Sequence, residues 1–129
     1  MFFHIDAQNG LAVYDQIVRQ MKFAVADGAI ATGDLVPSVR ELARELTINP
    51  NTVARSYRQL QDDDVLEAVR GTGLVVASGA RKSCRSERKK LIRSRLRDVV
   101  FEAHHGGLDE DQIEALFRTE LASLPRQKG

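Results

Sequence analysis

The segment from Pro37 to Leu60 constrains the fold most, because two helix starts stand in it in quick succession. Ser38 and Glu41 form a capping-box pair, in which hydroxyl and carboxylate each satisfy a backbone N–H at a helix start. Val39, Leu42, Ala43 and Leu46 then recur at helical spacing and predict a short helix with one apolar face. Asn49 reads as a second N-cap, with Pro50 at the first helical position, where its missing N–H costs nothing. Two short helices joined by a tight turn are the geometry that sets a helix into the major groove of DNA.

Plotted at about 100° per residue, the second helix has a clear inside and outside. Val53, Tyr57 and Leu60 share a narrow arc, the expected buried face. Asn51, Arg55 and Arg58 fall nearly opposite, flanked by Thr52 and Gln59. Amide, hydroxyl and guanidinium donors on one exposed face suit base edges and phosphates. The helix N-terminus adds N–H groups and partial positive charge that favour phosphate. Ordinary surface helices also turn polar residues outward, so this face draws its meaning from what surrounds it.

Upstream, Met1 to Ile5 reads as a short strand or as an arm packing on the domain. Asn9-Gly10 marks a turn. Tyr14, Ile17, Val18, Met21 and Val25 follow a three–four spacing, which predicts a helix over Leu11 to Asp27 with Gly28 as its C-terminal glycine. Ile30 to Leu35 reads as a connection. Downstream, Val65 to Val69 and Leu74 to Ala77 are β-rich runs around Arg70-Gly71-Thr72-Gly73, a hairpin signal. Three helices followed by a hairpin make a winged helix-turn-helix over residues 1–78. Its wing, 65–77, carries Arg70 at the tip, within reach of phosphates or an adjacent minor groove.

The composition changes at Ser78 to Ala80, and residues 79–129 form a second segment. Arg81 to Arg97 holds nine basic side chains against one acidic residue, Glu87. That run reads either as additional phosphate contacts or as a solvated linker helix. Ile92, Leu96, Val99, Val100 and Ala103 trace an apolar stripe, Gly106-Gly107 breaks the helix, and Asp109 to Asp111 open the next one. Ile113, Leu116, Phe117, Leu121 and Leu124 supply a second stripe, and Pro125 begins a tail. Two amphipathic helices joined by a glycine turn cannot bury both stripes alone, so a partner is implied. A second copy of the chain is favoured over the winged domain, because dimeric DNA binders present two recognition helices to half-sites a helical turn apart. A first helix of about 22 residues, roughly 33 Å long, would link the DNA heads to a dimer core.

A net charge of +1 does not announce a nucleic-acid binder. Residues 1–80 hold seven basic and ten acidic side chains, and the remainder twelve and eight. DNA affinity in the first part must therefore come from local placement of Arg40, Arg44, Arg55, Arg58 and Arg70, with Asp62, Asp63 and Asp64 held away from phosphates. No apolar run approaches the roughly 20 residues of a membrane span, and no signal-peptide pattern opens the chain. A cytoplasmic protein without membrane contact is expected. The single cysteine, Cys84, excludes an intrachain disulfide and fits a reducing cytosol. It is either merely tolerated, a bridge between subunits or an oxidant sensor.

Enzymes find little support. His4, His104 and His105 are the only histidines, and the adjacent pair cannot share one helical side. No glycine-rich phosphate loop follows a strand, and no nucleophile–base arrangement is visible. No catalytic site, cofactor or metal is expected. A winged-helix protein-interaction module without specific DNA binding is the remaining rival. It should lack exposed donors on its third helix, and Asn51, Arg55 and Arg58 argue otherwise.

Three strings bring a family into view. Leu35-Val36-Pro37-Ser38-Val39-Arg40-Glu41-Leu42-Ala43, Asn49-Pro50-Asn51-Thr52-Val53-Ala54-Arg55-Ser56-Tyr57 and Arg70-Gly71-Thr72-Gly73 resemble the signature of the GntR family of bacterial transcription regulators. The resemblance spans about the first 78 residues, including Ile5 and Tyr14-Asp15-Gln16-Ile17, and the short two-helix remainder is similar to the YtrA subfamily. It implies a homodimeric repressor that binds a palindromic operator through helix 49–62 in the major groove and through the wing. Position by position, it implies that Arg40 contacts phosphate or base at the start of the second helix. Asn51, Thr52 and Arg55 would face the major groove, and Arg70, Gly71, Thr72 and Gly73 would approach the minor groove. Ser38, Asn49 and Arg58 complete the candidate DNA-contacting set. Ile92, Leu96, Val99, Val100, Ala103, Ile113, Leu116, Phe117 and Leu121 form the candidate dimer contact. Pro50 departs from several GntR branches, which carry a basic or polar contact there, so their operators cannot be borrowed. About 50 C-terminal residues leave little volume for an effector pocket within one chain, and no effector is named.

Overall fold

The computed structural model describes residues 3–125, as five helices and one hairpin. In chain order these are α1 (Val13–Asp27), α2 (Val39–Leu46), α3 (Pro50–Asp62), β1 (Leu66–Val69), β2 (Gly73–Val76), α4 (Ala80–His105) and α5 (Glu110–Ala122). Contacts divide the chain into two compact units, one up to Lys89 and one from Lys90 onward.

The helix starts of the first unit form as their side chains dictate. Ser38 Oγ accepts the Glu41 N–H and Glu41 Oε1 accepts the Ser38 N–H, both at 3.1 Å. The Ser38 backbone N–H, followed by the Ser38 side chain, holds the Glu41 carboxyl below its usual range. Asn49 Oδ1 accepts the Asn51 N–H at 2.8 Å, and Pro50 opens α3. Between α2 and α3 the chain turns through Thr47, whose φ of 54° is left-handed. A β-branched residue rarely adopts that conformation, so the turn carries backbone strain. Gly28 ends α1 at φ 80°, as its position predicts.

Ile17 and Met21 of α1, Leu42 of α2, and Val53 and Leu60 of α3 are fully buried against one another. Leu66 and Val76 of the hairpin close the same core. Tyr57 joins it and donates its hydroxyl to the Pro37 carbonyl at 2.8 Å, tying α3 to the entry of α2. Burial, with the charges of Glu41 and Glu45, pushes the Tyr57 phenol up. Phe3 is buried in this core with no strand at residues 3–5, so the arm reading describes that part; Met1 and Phe2 lie outside the described residues.

The hairpin is antiparallel, with Leu66 opposite Val76 and Val69 opposite Gly73. One expectation needs correction here. The run Ile30 to Leu35 is more than a connection, because its end pairs with the free edge of β2. Leu35 bridges Val75, the Gly33 N–H reaches the Val76 carbonyl at 2.8 Å, and the Val76 N–H reaches the Asp34 carbonyl at 3.0 Å. The physical reason is that a two-stranded edge leaves backbone donors and acceptors unpaired until another segment covers them.

The first unit continues past the composition change at 78–80 because the opening turns of α4 belong to its core. Ala80 and Cys84 are buried there, and Glu87 joins a charged cluster. Lys22 of α1 is almost wholly buried, and its ammonium donates to Asp63 at 2.7 Å and to Glu87 at 2.8 Å. Burial alone pushes the Lys22 amine down, but hydrogen bonds and charge from both carboxylates push it further up, leaving it above its ordinary value.

In the second unit, Asp109 and Gln112 form a capping box at the start of α5. None of the α5 residues is buried. An apolar groove of about 1030 Å³ runs along α4 and α5, lined by Leu96, Val99, Val100, Ile113, Leu116 and Phe117 among others. Arg97 lies over the Phe101 ring at 4.5 Å, covering a phenylalanine outside both stripes.

Candidate nucleic-acid interface

Helix α3 rotates its residues as the helical plot predicts. Val53, Ser56, Tyr57 and Leu60 face the core, whereas Asn51, Arg55 and Arg58 are exposed and Thr52 is half-buried. Asn49 and Ser38, the two caps, are exposed beside them in the chain, and each also has its side chain engaged with its own helix start. Arg40 stands exposed in the first turn of α2. The hairpin tip Arg70, Gly71, Thr72 and Gly73 is exposed throughout. Gly71 takes φ 79° and Gly73 φ 126°, and a Cβ on Gly73 would meet Leu35 at 3.2 Å. The positive φ therefore favours glycine at Gly73, while the tip of the exposed Leu35 side chain would need to give only slightly.

The charges on these elements are unspent. Among the described residues, none of Arg40, Arg55, Arg58 and Arg70 is ion-paired. Asp63, one of three consecutive carboxylates beyond α3, is drawn inward by Lys22 and also accepts from Gln59 at 3.0 Å. Asp62 and Asp64 are exposed. In the basic run 81–97, Arg88 and Arg95 are half-buried and the other basic residues are exposed.

One part of the interface was not visible in sequence. The first turns of α1 and α3 flank a cleft of about 340 Å³ lined by Val13, Tyr14, Asn51, Thr52 and Arg55. The Arg55 guanidinium lies 3.6 Å over the Tyr14 ring. Beneath it, buried Ser56 donates its hydroxyl to the Tyr14 carbonyl at 3.0 Å. The chain holds Tyr14 at helical spacing with Ile17 and Met21, so it reads as a core residue of α1, and only the fold shows what its ring faces.

The candidate dimer residues lie in the second unit. Ile92, Leu96, Val99, Leu116, Phe117 and Leu121 are exposed, with Leu116 at 55% and Val99 at 60%, while Val100, Ala103 and Ile113 are half-buried. Cys84 is fully buried in the core of the first unit, where burial pushes its thiol up. A buried, protonated thiol is not placed to bridge subunits or to meet oxidant. His104 and His105 sit edge to face, and His105 Nδ1 lies 2.8 Å from the Phe101 carbonyl. Among the described residues no group of three or more His, Cys, Asp or Glu is placed to hold a metal. No described helix is long and apolar enough to cross a membrane.

Comparison with known proteins agrees with this geometry. The profile of the family described as "Bacterial regulatory proteins, gntR family" matches residues 13–76, from the start of α1 to the end of the wing. The HTH-type transcriptional repressor YtrA of Bacillus subtilis is 32% identical over 109 residues, covering 84% of each chain. A GntR family transcriptional regulator from Listeria monocytogenes superposes with a TM-score of 0.67 at 28% identity, covering 87% of this chain and 97% of its own. YtrA from Sulfolobus acidocaldarius, described as a GntR-family transcription factor, superposes with a TM-score of 0.56 at 26% identity, covering 94% and 97%. The last two likenesses extend beyond the wing into the C-terminal helices.

Proposed function

Because this chain belongs to the GntR family of bacterial regulatory proteins, as a DNA-binding transcription regulator of the YtrA type, we propose that it is a homodimeric cytoplasmic repressor of a palindromic operator. Helix α3 enters the major groove, and the wing tip at Arg70 meets the backbone or the adjacent minor groove. The observation that carries this reading is the set of exposed donors Asn51, Arg55 and Arg58 on one face of α3. Arg40 on α2 and Arg70 on the wing extend the same chemistry to neighbouring elements. With a net charge of only +1, bulk attraction to DNA is weak, so affinity comes from these local contacts.

Dimerisation follows from the second unit. An exposed apolar groove of this size along two helices is a surface that water disfavours and a second copy can cover. Two copies related by a two-fold axis present two α3 helices, so the operator mirrors that symmetry. The repressor role is supported by the Bacillus relative, whose name describes a transcriptional repressor.

Binding titrations on genomic duplexes at graded salt test the DNA reading. Specific binding with a log–log slope of about −0.9 for each phosphate neutralised is expected. Equal, weak binding to operator and scrambled DNA would leave a winged-helix protein-interaction module instead.

A further inference from the structure

The contact between Arg55 and Tyr14 decides what that arginine can touch. A guanidinium stacked by its face on an aromatic ring keeps its N–H donors in plane and open to an oxyanion. The 3.6 Å stack on Tyr14 gives Arg55 this arrangement. Tyr14 is held close to α3, because the hydroxyl of Ser56, the residue after Arg55, lies 3.0 Å from the Tyr14 carbonyl and equally near that of Thr52, sharing its one proton between them. The stack thus rests on a backbone fixed to the same turn of helix that carries the arginine.

Turning onto α1 brings the guanidinium to the cleft it shares with Val13, Tyr14, Asn51 and Thr52. That lining offers an amide, two hydroxyls and a guanidinium, and it contains no carboxylate. Asp15, next in the chain, is engaged with Arg19 at 3.2 Å. The first turns of α1 and α3 both line the cleft and add their partial positive charge. The stacked guanidinium, the two helix starts and the lack of a carboxylate favour an anion beside Arg55, whereas the amide and hydroxyls suit phosphate and base edge alike.

Resting on the DNA-binding reading above, we propose that Arg55, stacked on Tyr14, grips a backbone phosphate at the edge of the major groove rather than a base. Tyr14 is its positioning residue. Asn51, on the same face but one turn nearer the helix start, is left to read bases. Arg55 then supplies affinity and salt dependence, and little of the sequence preference.

The test uses a duplex enriched by the wild-type protein from a random-sequence library, titrated at graded sodium chloride with R55A, Y14F and Y14L. R55A weakens binding roughly ten- to hundredfold, lowers the salt slope by about 0.9 and keeps the wild-type ranking of single-base operator variants. Y14F retains the ring face and loses less affinity than Y14L. Y14L loses about two- to fivefold, and adding it to R55A changes nothing more. Thermal melting of each variant confirms that folding is intact.

Relaxed preference at one base position in R55A would make Arg55 a base reader and overturn the proposal. Equal effects of Y14L with and without Arg55 would remove the positioning role. Inhibition by inorganic phosphate beyond that of chloride at equal ionic strength would assign the cleft to a free anion. Failure of the wild-type protein to enrich any duplex overturns the DNA reading itself, and this contact with it.

Discussion

In the winged head, Ile17, Met21, Leu42, Val53 and Leu60 are sealed from water by one another, whereas beyond Lys90 the large apolar side chains of α4 and α5 stay half-open to solvent. The same kinds of residue occur in both regions, at the same helical spacing. What differs is the number of faces available to close over them. Three helices and a hairpin enclose a core, and two helices joined by a glycine turn do not. The head therefore closes its own core, and the segment leaves an apolar surface that the proposed second copy would cover.

The largest effect that can break this comparison is at Leu116. Leu116→Asp places a charge in the proposed subunit contact, where an unpaired buried charge costs about 3–5 kcal/mol. Sedimentation should show monomers, with the head still folded. An intact dimer would show that this stripe is not the seam. Next comes Leu60→Ala, which opens a cavity in the head and costs about 2–5 kcal/mol of unfolding free energy. Urea denaturation measures it, and dimer association below the transition should be unchanged.

Lys22→Met has a smaller effect, about 1–3 kcal/mol, because Asp63 and Glu87 are only partly buried and regain water when the ammonium leaves. Its pH dependence has a definite sign. The folded-state amine lies above its ordinary 10.5, so the stabilisation is fully present below that pH and is lost as pH rises through the raised value. The raised Tyr57 phenol acts in the same direction, through the same alkaline window. Melting temperatures from pH 8 to 12 should fall less steeply in Lys22→Met than in wild type, with the Tyr57 share remaining. Parallel curves would mean that Lys22 contributes nothing through its charge. Smallest is Arg70→Ala, which should weaken DNA binding by about 1 kcal/mol and lower the salt slope by about 0.9 without altering base preference. A changed preference would move the wing from backbone to base contact.

What was legible in the chain was local. Ser38 and Glu41, Asn49 and Pro50, and the glycines of the hairpin act within a few residues of themselves, so their chemistry can be read in a short window. Lys22 meets Asp63 and Glu87 across 41 and 65 residues, and no window of sequence brings those three together. The pairing of Leu35 with Val75 was hidden because Ile30 to Leu35 shows no alternation, and its role comes from the edge it covers. Thr47 carries the turn of the helix-turn-helix without the glycine that usually announces a left-handed residue. The capping box of Asp109 and Gln112 has the same local spacing as Ser38 and Glu41, and the acids Glu110 and Asp111 within it give the segment the look of a plain charge run. At the candidate interface, the outward face of α3 followed from periodicity, and the Tyr14 stack that aims Arg55 did not, because it joins two helices.

The most direct measurement is a selection from random duplexes with wild-type protein and with Asn51→Ala, sequenced side by side. If the exposed face of α3 reads the operator, the variant loses preference at one position in each of two symmetric half-sites and keeps the rest of the motif. An unchanged motif, enriched to the same degree, would place sequence recognition elsewhere on the molecule.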